Sequence, residues 1–174
     1  MTWPAAFTSL VCLAAMAACS PSLDWREFMA EGVGVVATFP CRPDRHARAV
    51  RLDGATTQMQ MLVCSAAGAT FALSFVDIVD PARVAPTLGE LRCIAVANVR
   101  GEQPLFAPWQ VSGMTPNAQA QRMSVTGRLP DGAEVRLQAV FFAHALRLYQ
   151  ATVIGAAPSE AAVQTFFAGF RFPA

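Results

Sequence analysis

Residues 70–100 read TFALSFVDIVDPARVAPTLGELRCIAVANVR, and the apolar period changes inside them. Phe71, Leu73 and Phe75 recur at every second position, as on a strand with one buried face. Past Asp80-Pro81 the period lengthens: Val84, Leu88, Leu91, Ala95 and Val99 recur at helical spacing. Asp80 suits an N-cap and Pro81 the first helical position. Pro86 is expected to break or restart the helix, so its firm part is Thr87 to Arg100, with Gly101 as the stop.

Upstream, Asp24 to Ala30 reads as a short helix or turn with Trp25 and Phe28 on one side. Gly32 to Phe39 reads as a strand in which Val33, Val35, Ala37 and Phe39 alternate with Gly34, Val36 and Thr38. Pro40 and Pro43 end it, since neither can donate to a ladder. Ala47 to Leu52 and Thr56 to Ser65 form a hairpin about Asp53-Gly54, a strong turn signal. After a turn at Ala66 to Ala69 the strand Thr70 to Ile78 follows. Downstream, Glu102 to Pro116 reads as a Pro-containing loop. Strands are expected over Gln119 to Leu129, Glu134 to Ala143 and Leu146 to Ile154, with turns at Pro130-Asp131-Gly132 and His144-Ala145. A last helix starts at Pro158-Ser159 and turns Val163, Phe166, Phe167 and Phe170 inward.

Hairpins rather than βαβ crossovers imply an antiparallel sheet with packed helices, an α+β single domain over residues 32–174. The chain has 174 residues, 54% of them apolar and 14% charged, which excludes intrinsic disorder. A net charge of +1 gives no field to steer nucleic acid, and none is expected as a partner. Every one of the 13 basic residues is arginine, so Schiff-base and P-loop chemistry lack their lysine.

Met1 to Ala18 holds no charged side chain, and Ala5 to Ala18 is a small, apolar run too short to span a bilayer. Residues 1–18 therefore read as an export signal. Met16-Ala17-Ala18-Cys19 resembles the lipobox of bacterial lipoproteins, in which the cysteine is acylated and becomes the new N-terminus. That resemblance implies lipidation at Cys19, membrane anchoring, and residues 19–31 as a tether with a short N-terminal helix. Ser20 resembles an outer-membrane sorting signal, so the domain is expected to face the periplasm. Simple secretion and an uncut N-terminal anchor helix are the alternatives.

Export permits a disulfide. Pairing Arg51 with Thr56 sets Cys64 opposite residue 43, close to Cys41, so a Cys41–Cys64 bridge is expected. Cys93 reads as a small buried hydrophobe on the helix.

Three short motifs occur in order: Phe39-Pro40-x-x-Pro43, Leu146-x-x-Tyr149 and Phe166-Phe167-x-x-Phe170. Together they resemble the pattern of small exported bacterial domains of the PsbP/Mog1-like α/β sandwich class, and of proteobacterial lipoproteins of similar length. The resemblance spans about Gly32 to Phe172 and implies a protein-binding accessory module rather than an enzyme.

Few residues invite chemistry. His46 and His144 read as loop and turn residues, and no zinc spacing is present. No metal or other cofactor is expected. Asp77 and Asp80 flank a strand end, with Asp80 explained as a cap. Gly-x-Ser-x-Gly is absent. Arg42, Arg45 and Arg48, with Arg51, form the densest charge cluster; they suit lipid headgroups or an acidic partner, or merely keep a strand edge soluble. Leu105-Phe106-Ala107-Pro108-Trp109 is apolar and aperiodic, which makes Phe106 and Trp109 candidates for a docking loop. These features describe a lipid-anchored binding or accessory module without catalysis and with an envelope-protein partner. A small envelope hydrolase or thiol-redox protein using Cys93, His46 or Asp77, and a purely structural envelope protein, are the alternatives.

Overall fold

The computed structural model describes residues 23–29 and 31–173. The expected signal segment, Cys19 and Ser20 lie outside the described residues. Among the described residues, nine strands and two α-helices follow in order: β1 (Arg26–Phe28), β2 (Ala37–Phe39), β3 (Asp44–Leu52), β4 (Ala55–Ala66), β5 (Ala69–Asp77), α1 (Val84–Asn98), β6 (Glu102–Pro108), β7 (Gln121–Arg128), β8 (Glu134–His144), β9 (Arg147–Gly155) and α2 (Glu160–Ala168). β1 and β2 pair with each other, and the other seven form one sheet in the order β3-β4-β5-β9-β8-β7-β6. Every paired strand runs antiparallel to its neighbour. The chain meanders inward from one edge to β5, crosses by α1 to the far edge, and meanders back until β9 closes against β5.

The sheet is covered on both faces, and strand alternation deals residues to the two cores. On one face Leu88, Leu91 and Ala95 of α1, with Val99 at its C-terminal cap, pack with Val76, Met123, Phe141 and Leu148. On the other, Phe166, Phe167 and Phe170 pack with Phe39, Phe71, Phe142 and Tyr149. Aromatic edges and faces interlock there, with Phe39–Phe166 at 5.2 Å, Phe71–Phe166 at 5.3 Å and Phe142–Tyr149 at 5.1 Å between ring centroids. β8 feeds both cores, so it reads as the nearly unbroken apolar run AVFFA. Among the described residues, every buried apolar side chain lies between Val33 and Phe172.

The Arg51↔Thr56 pairing and the Cys41–Cys64 bridge are present, with Cα atoms 6.0 Å apart. Four expectations are corrected. Arg26–Phe28 is a strand rather than a short helix: so short a helix has little stability of its own, whereas β2 offers a ladder and Phe39 and Phe71 receive Phe28 and Trp25 edge-on. The strand expected over Gly32 to Phe39 survives only as β2, because Gly32 and Gly34 take positive φ (76° and 79°) and bend the chain. Gly34 is required twice over, since a Cβ there would also lie 3.1 Å from the Tyr149 hydroxyl. Pro86 does not break the helix; it falls in the first turn of α1, where its missing N–H has no carbonyl to serve. Asp80 does cap, its carboxylate accepting from the Ala82 N–H (2.9 Å), but it caps a 3₁₀ turn over Pro81–Arg83 that leads into α1.

The fourth correction is Glu102 to Pro108, which forms the edge strand β6 rather than a loop. Ladder parity explains how two prolines fit. The Trp109 N–H donates to the Ala120 carbonyl (3.2 Å), so odd-numbered residues turn their backbone groups toward β7. Pro104 and Pro108 fall on the outward positions, where a missing N–H costs no ladder bond. The irregularity between Glu102 and Leu105, with Gln103 at φ 51°, bends the strand's start.

Candidate functional site

Helix α1 crosses the sheet face beside β6 and leaves a groove of about 690 Å³ between them. Cys93, Val96 and Ala97 form the helix wall, Pro104 and Phe106 the strand wall, and Gln121 the floor. Phe106 is 47% exposed and Leu105, on the opposite face of the same strand, 74% exposed. Two large apolar side chains are thus presented at one sheet edge, where packing would ordinarily hide them. Among the described residues, the one charged group lining the groove is Arg92. Its guanidinium lies 5.9 Å from the Phe106 ring centroid and donates to the Gln119 carbonyl (2.6 Å) and to the Gln119 side-chain oxygen. Burial lowers its pKa from the ordinary arginine value. The groove can take an apolar side chain, with a fixed cation at its rim for a carboxylate.

Phe106 and Trp109 part company. Trp109 is half-buried on the α2 face, its indole edge-on to Phe167 at 6.1 Å and 6.0 Å from the Arg122 guanidinium. Its Nε1–H is buried without an acceptor among the described residues. Cys93 corrects the buried reading: it is an exposed free thiol in the groove wall. It sits midway between the inward-facing Leu91 and Ala95, where the helical repeat points outward.

His46, Cys93 and Asp77 are not brought together. His46 is exposed on β3, in a strand rather than a loop. Asp77 ends β5 and forms a bidentate pair with Arg147 at 2.6 and 2.7 Å. That guanidinium holds the Asp77 carboxyl below its usual range, and Arg147 is raised in turn. Arg147 also donates to the Gly32 carbonyl (2.5 Å), and the Tyr149 hydroxyl donates to the Val33 carbonyl (2.7 Å). Burial pushes the Tyr149 pKa up to about 12. The cluster clamps the bent Gly32–Gly34 segment to the sheet. His144 stacks on Phe172 at 4.4 Å beside the turn at Ala145. Among the described residues no three His, Cys, Asp or Glu side chains are grouped to hold a metal ion. No helix there is long and apolar enough to cross a membrane.

Arg42, Arg45 and Arg48 are exposed at and beside β3, the sheet edge opposite β6. No protein-family model matches the chain, and no curated protein matches it either. The groove therefore has to be read from its own chemistry. Sequence patterning missed it because β6, which supplies its strand wall, carries two prolines and no alternation. The available signal was their spacing: Pro104 and Pro108, four apart, occupy one side of a ladder.

Proposed function

We propose that the chain is a lipid-anchored, periplasm-facing binding or accessory module that acts without catalysis and is sorted to the outer membrane. The observation that carries the binding role is the α1–β6 groove, with Phe106 and Leu105 exposed beside it. The favoured occupant is an envelope-protein segment that places an apolar side chain against Phe106 and a carboxylate near Arg92. The Cys41–Cys64 disulfide supports an oxidising compartment. The lipobox-like Met16-Ala17-Ala18-Cys19 supports the anchor. The antiparallel sheet covered on both faces is compatible with the PsbP/Mog1-like resemblance, whose members are mainly accessory modules.

Cys93 supplies the test, because a photo-crosslinker can be attached to it without mutation. In intact envelopes it should join the chain to one defined partner, and Phe106→Asp should abolish the product. A crosslink pattern unchanged by Phe106→Asp would refute the groove as the binding site. The intact mass of protein extracted from membranes tests the anchor: loss of residues 1–18 with added acyl groups is expected, and an unlipidated mass refutes it. The exposed thiol also favours a second reading, a thiol-redox protein. That reading requires Cys93→Ser to remove an activity while leaving the partner bound.

A further inference from the structure

The arginines divide into two populations. Arg26, Arg83, Arg122, Arg128, Arg136, Arg147 and Arg171 each pair with a carboxylate. Among the described residues, the other six do not. Arg92 is bound to Gln119 beside the α1–β6 groove and Arg100 follows α1, while Arg42, Arg45, Arg48 and Arg51 are all exposed along or beside one edge strand, β3, and Asp44 is the one acid among residues 42–51. That stretch carries three net positive charges, while the whole chain carries +1. The opposite edge, β6, holds Glu102 and no basic residue. The sheet is therefore electrically lopsided along its width. Unpaired arginines are useful for keeping an edge soluble, but charges of alternating sign would serve that purpose without building a field of one sign.

The N-terminal segment joins the molecule at the same edge. The Asp24 N–H donates to the Pro40 carbonyl (2.8 Å), two residues before Arg42. The Arg45 guanidinium donates to the Glu31 carbonyl (2.8 Å), and Cys41 is bonded to Cys64 of β4. Asp24 is five Cα–Cα steps from Cys19, so an extended chain lets it stand no more than about 18 Å away. An anchor at Cys19 thus keeps the Asp24 end of this edge within reach of the bilayer surface, whose charge acts over about 8–10 Å. Arg45 and Arg51 lie on one face of β3 and Arg48 on the other. On an interior strand that would divide the patch. On an edge strand set down on a surface, side chains from both faces splay onto it.

We propose that the β3 edge rests on anionic lipid headgroups, so that the sheet stands on the membrane with β6 and its groove turned away from it. This deepens the anchored-module reading and rests on it. The strand order places β6 six spacings from β3, about 29 Å. The groove is then displayed to a partner instead of lying against lipid.

The test uses residues 20–174, which contain the whole of both cores and carry no lipid. They are co-sedimented with vesicles of phosphatidylcholine, with and without phosphatidylglycerol, at low and high salt. Binding should require phosphatidylglycerol and be lost at high salt. Removing three charges by R42Q/R45Q/R48Q should weaken binding by on the order of a hundredfold, at roughly fivefold per arginine. R100Q/R128Q/R136Q removes as many charges elsewhere and should leave binding unchanged. Absence of phosphatidylglycerol-dependent binding overturns the proposal, as does equal weakening by both triple variants. Urea unfolding of each variant checks its fold, and the salt release of the parent chain needs no variant. The anchor is judged separately, by the mass of the intact protein, so the two readings can fail independently.

Discussion

Removing the Cys41–Cys64 bridge gives the sharpest energetic test. The two cysteines are 23 residues apart in sequence. Closing a loop of that length restricts the unfolded chain by about 11 cal/mol/K, or roughly 3.4 kcal/mol at 25 °C. Cys64 is buried in the α2-side core and Cys41 packs at its margin, so replacing both with alanine also loses a little packing. The entropy change of unfolding for a domain of this size implies a fall in Tm of about 10 °C. The assay is reversible urea unfolding of the parent chain and of C41A/C64A, followed by tryptophan fluorescence. Alkylation verifies the starting state. Without reductant the native domain should accept one alkyl group, on the exposed Cys93, and unfolding alone should add none. A stability loss below about 1 kcal/mol would refute the reasoning, since the loop-closure effect would then be absent. Two further thiols becoming reactive on unfolding without reductant would refute the bridge itself.

Other outcomes follow from particular contacts. Asp77 ionises more readily when paired with Arg147 than in the unfolded chain. Its pairing therefore adds stability at neutral pH, and that contribution fades as the pH falls through the depressed value, below the ordinary carboxylate range. Asp77→Asn should lower stability at pH 7 by no more than about 1 kcal/mol, given its exposure, and flatten the acid limb of a stability–pH curve. Gly127→Ala should cost about 1–3 kcal/mol or more in urea unfolding, because a Cβ there would lie 2.1 Å from the Val99 carbonyl oxygen. P104T/P108T restores two outward N–H donors to β6 and should increase concentration-dependent self-association in analytical ultracentrifugation relative to the parent. Phe106→Ser should leave the unfolding midpoint almost unchanged while reducing binding of an apolar dye to the groove, since its ring is half exposed.

The hairpins and both helices were legible because their signals are local. Asp53-Gly54 fixed the β3–β4 register, and Ser159 marks the start of α2. The cysteine bridge followed from that register. Less legible were features decided by partners distant in sequence. Arg26–Phe28 takes its conformation from β2 and from Arg171, which pairs with Glu27 at 2.5 and 3.0 Å. Pro104 and Pro108 look like loop residues until the Trp109–Ala120 bond fixes which side of β6 faces β7. The arginine cluster is visible in the sequence, but strand alternation divides it between two faces, which on an interior strand would break up the patch. Only the placement of β3 at the sheet edge removes that objection. Cys93 was misread because its apolar neighbours Leu91, Ile94 and Ala95 suggested burial, while its own position on the helix turns outward.

The Cys41–Cys64 bond has a mechanical consequence for a chain held by its N-terminus. A pull on Leu23 loads β1 and β2 first, then the Gly32–Gly34 segment held by Arg147 and Tyr149. These are non-covalent attachments and can peel away in sequence. The crosslink to β4 then transmits tension past β3 without shearing its nine residue pairs with β4. Stretching a molecule between its anchor and β4 should release about 60 Å, the contour of residues 23–40, before the sheet yields. In C41A/C64A that plateau should disappear and β3 should unzip with the rest, so the bond works as a stop that confines damage from membrane drag to a segment able to redock.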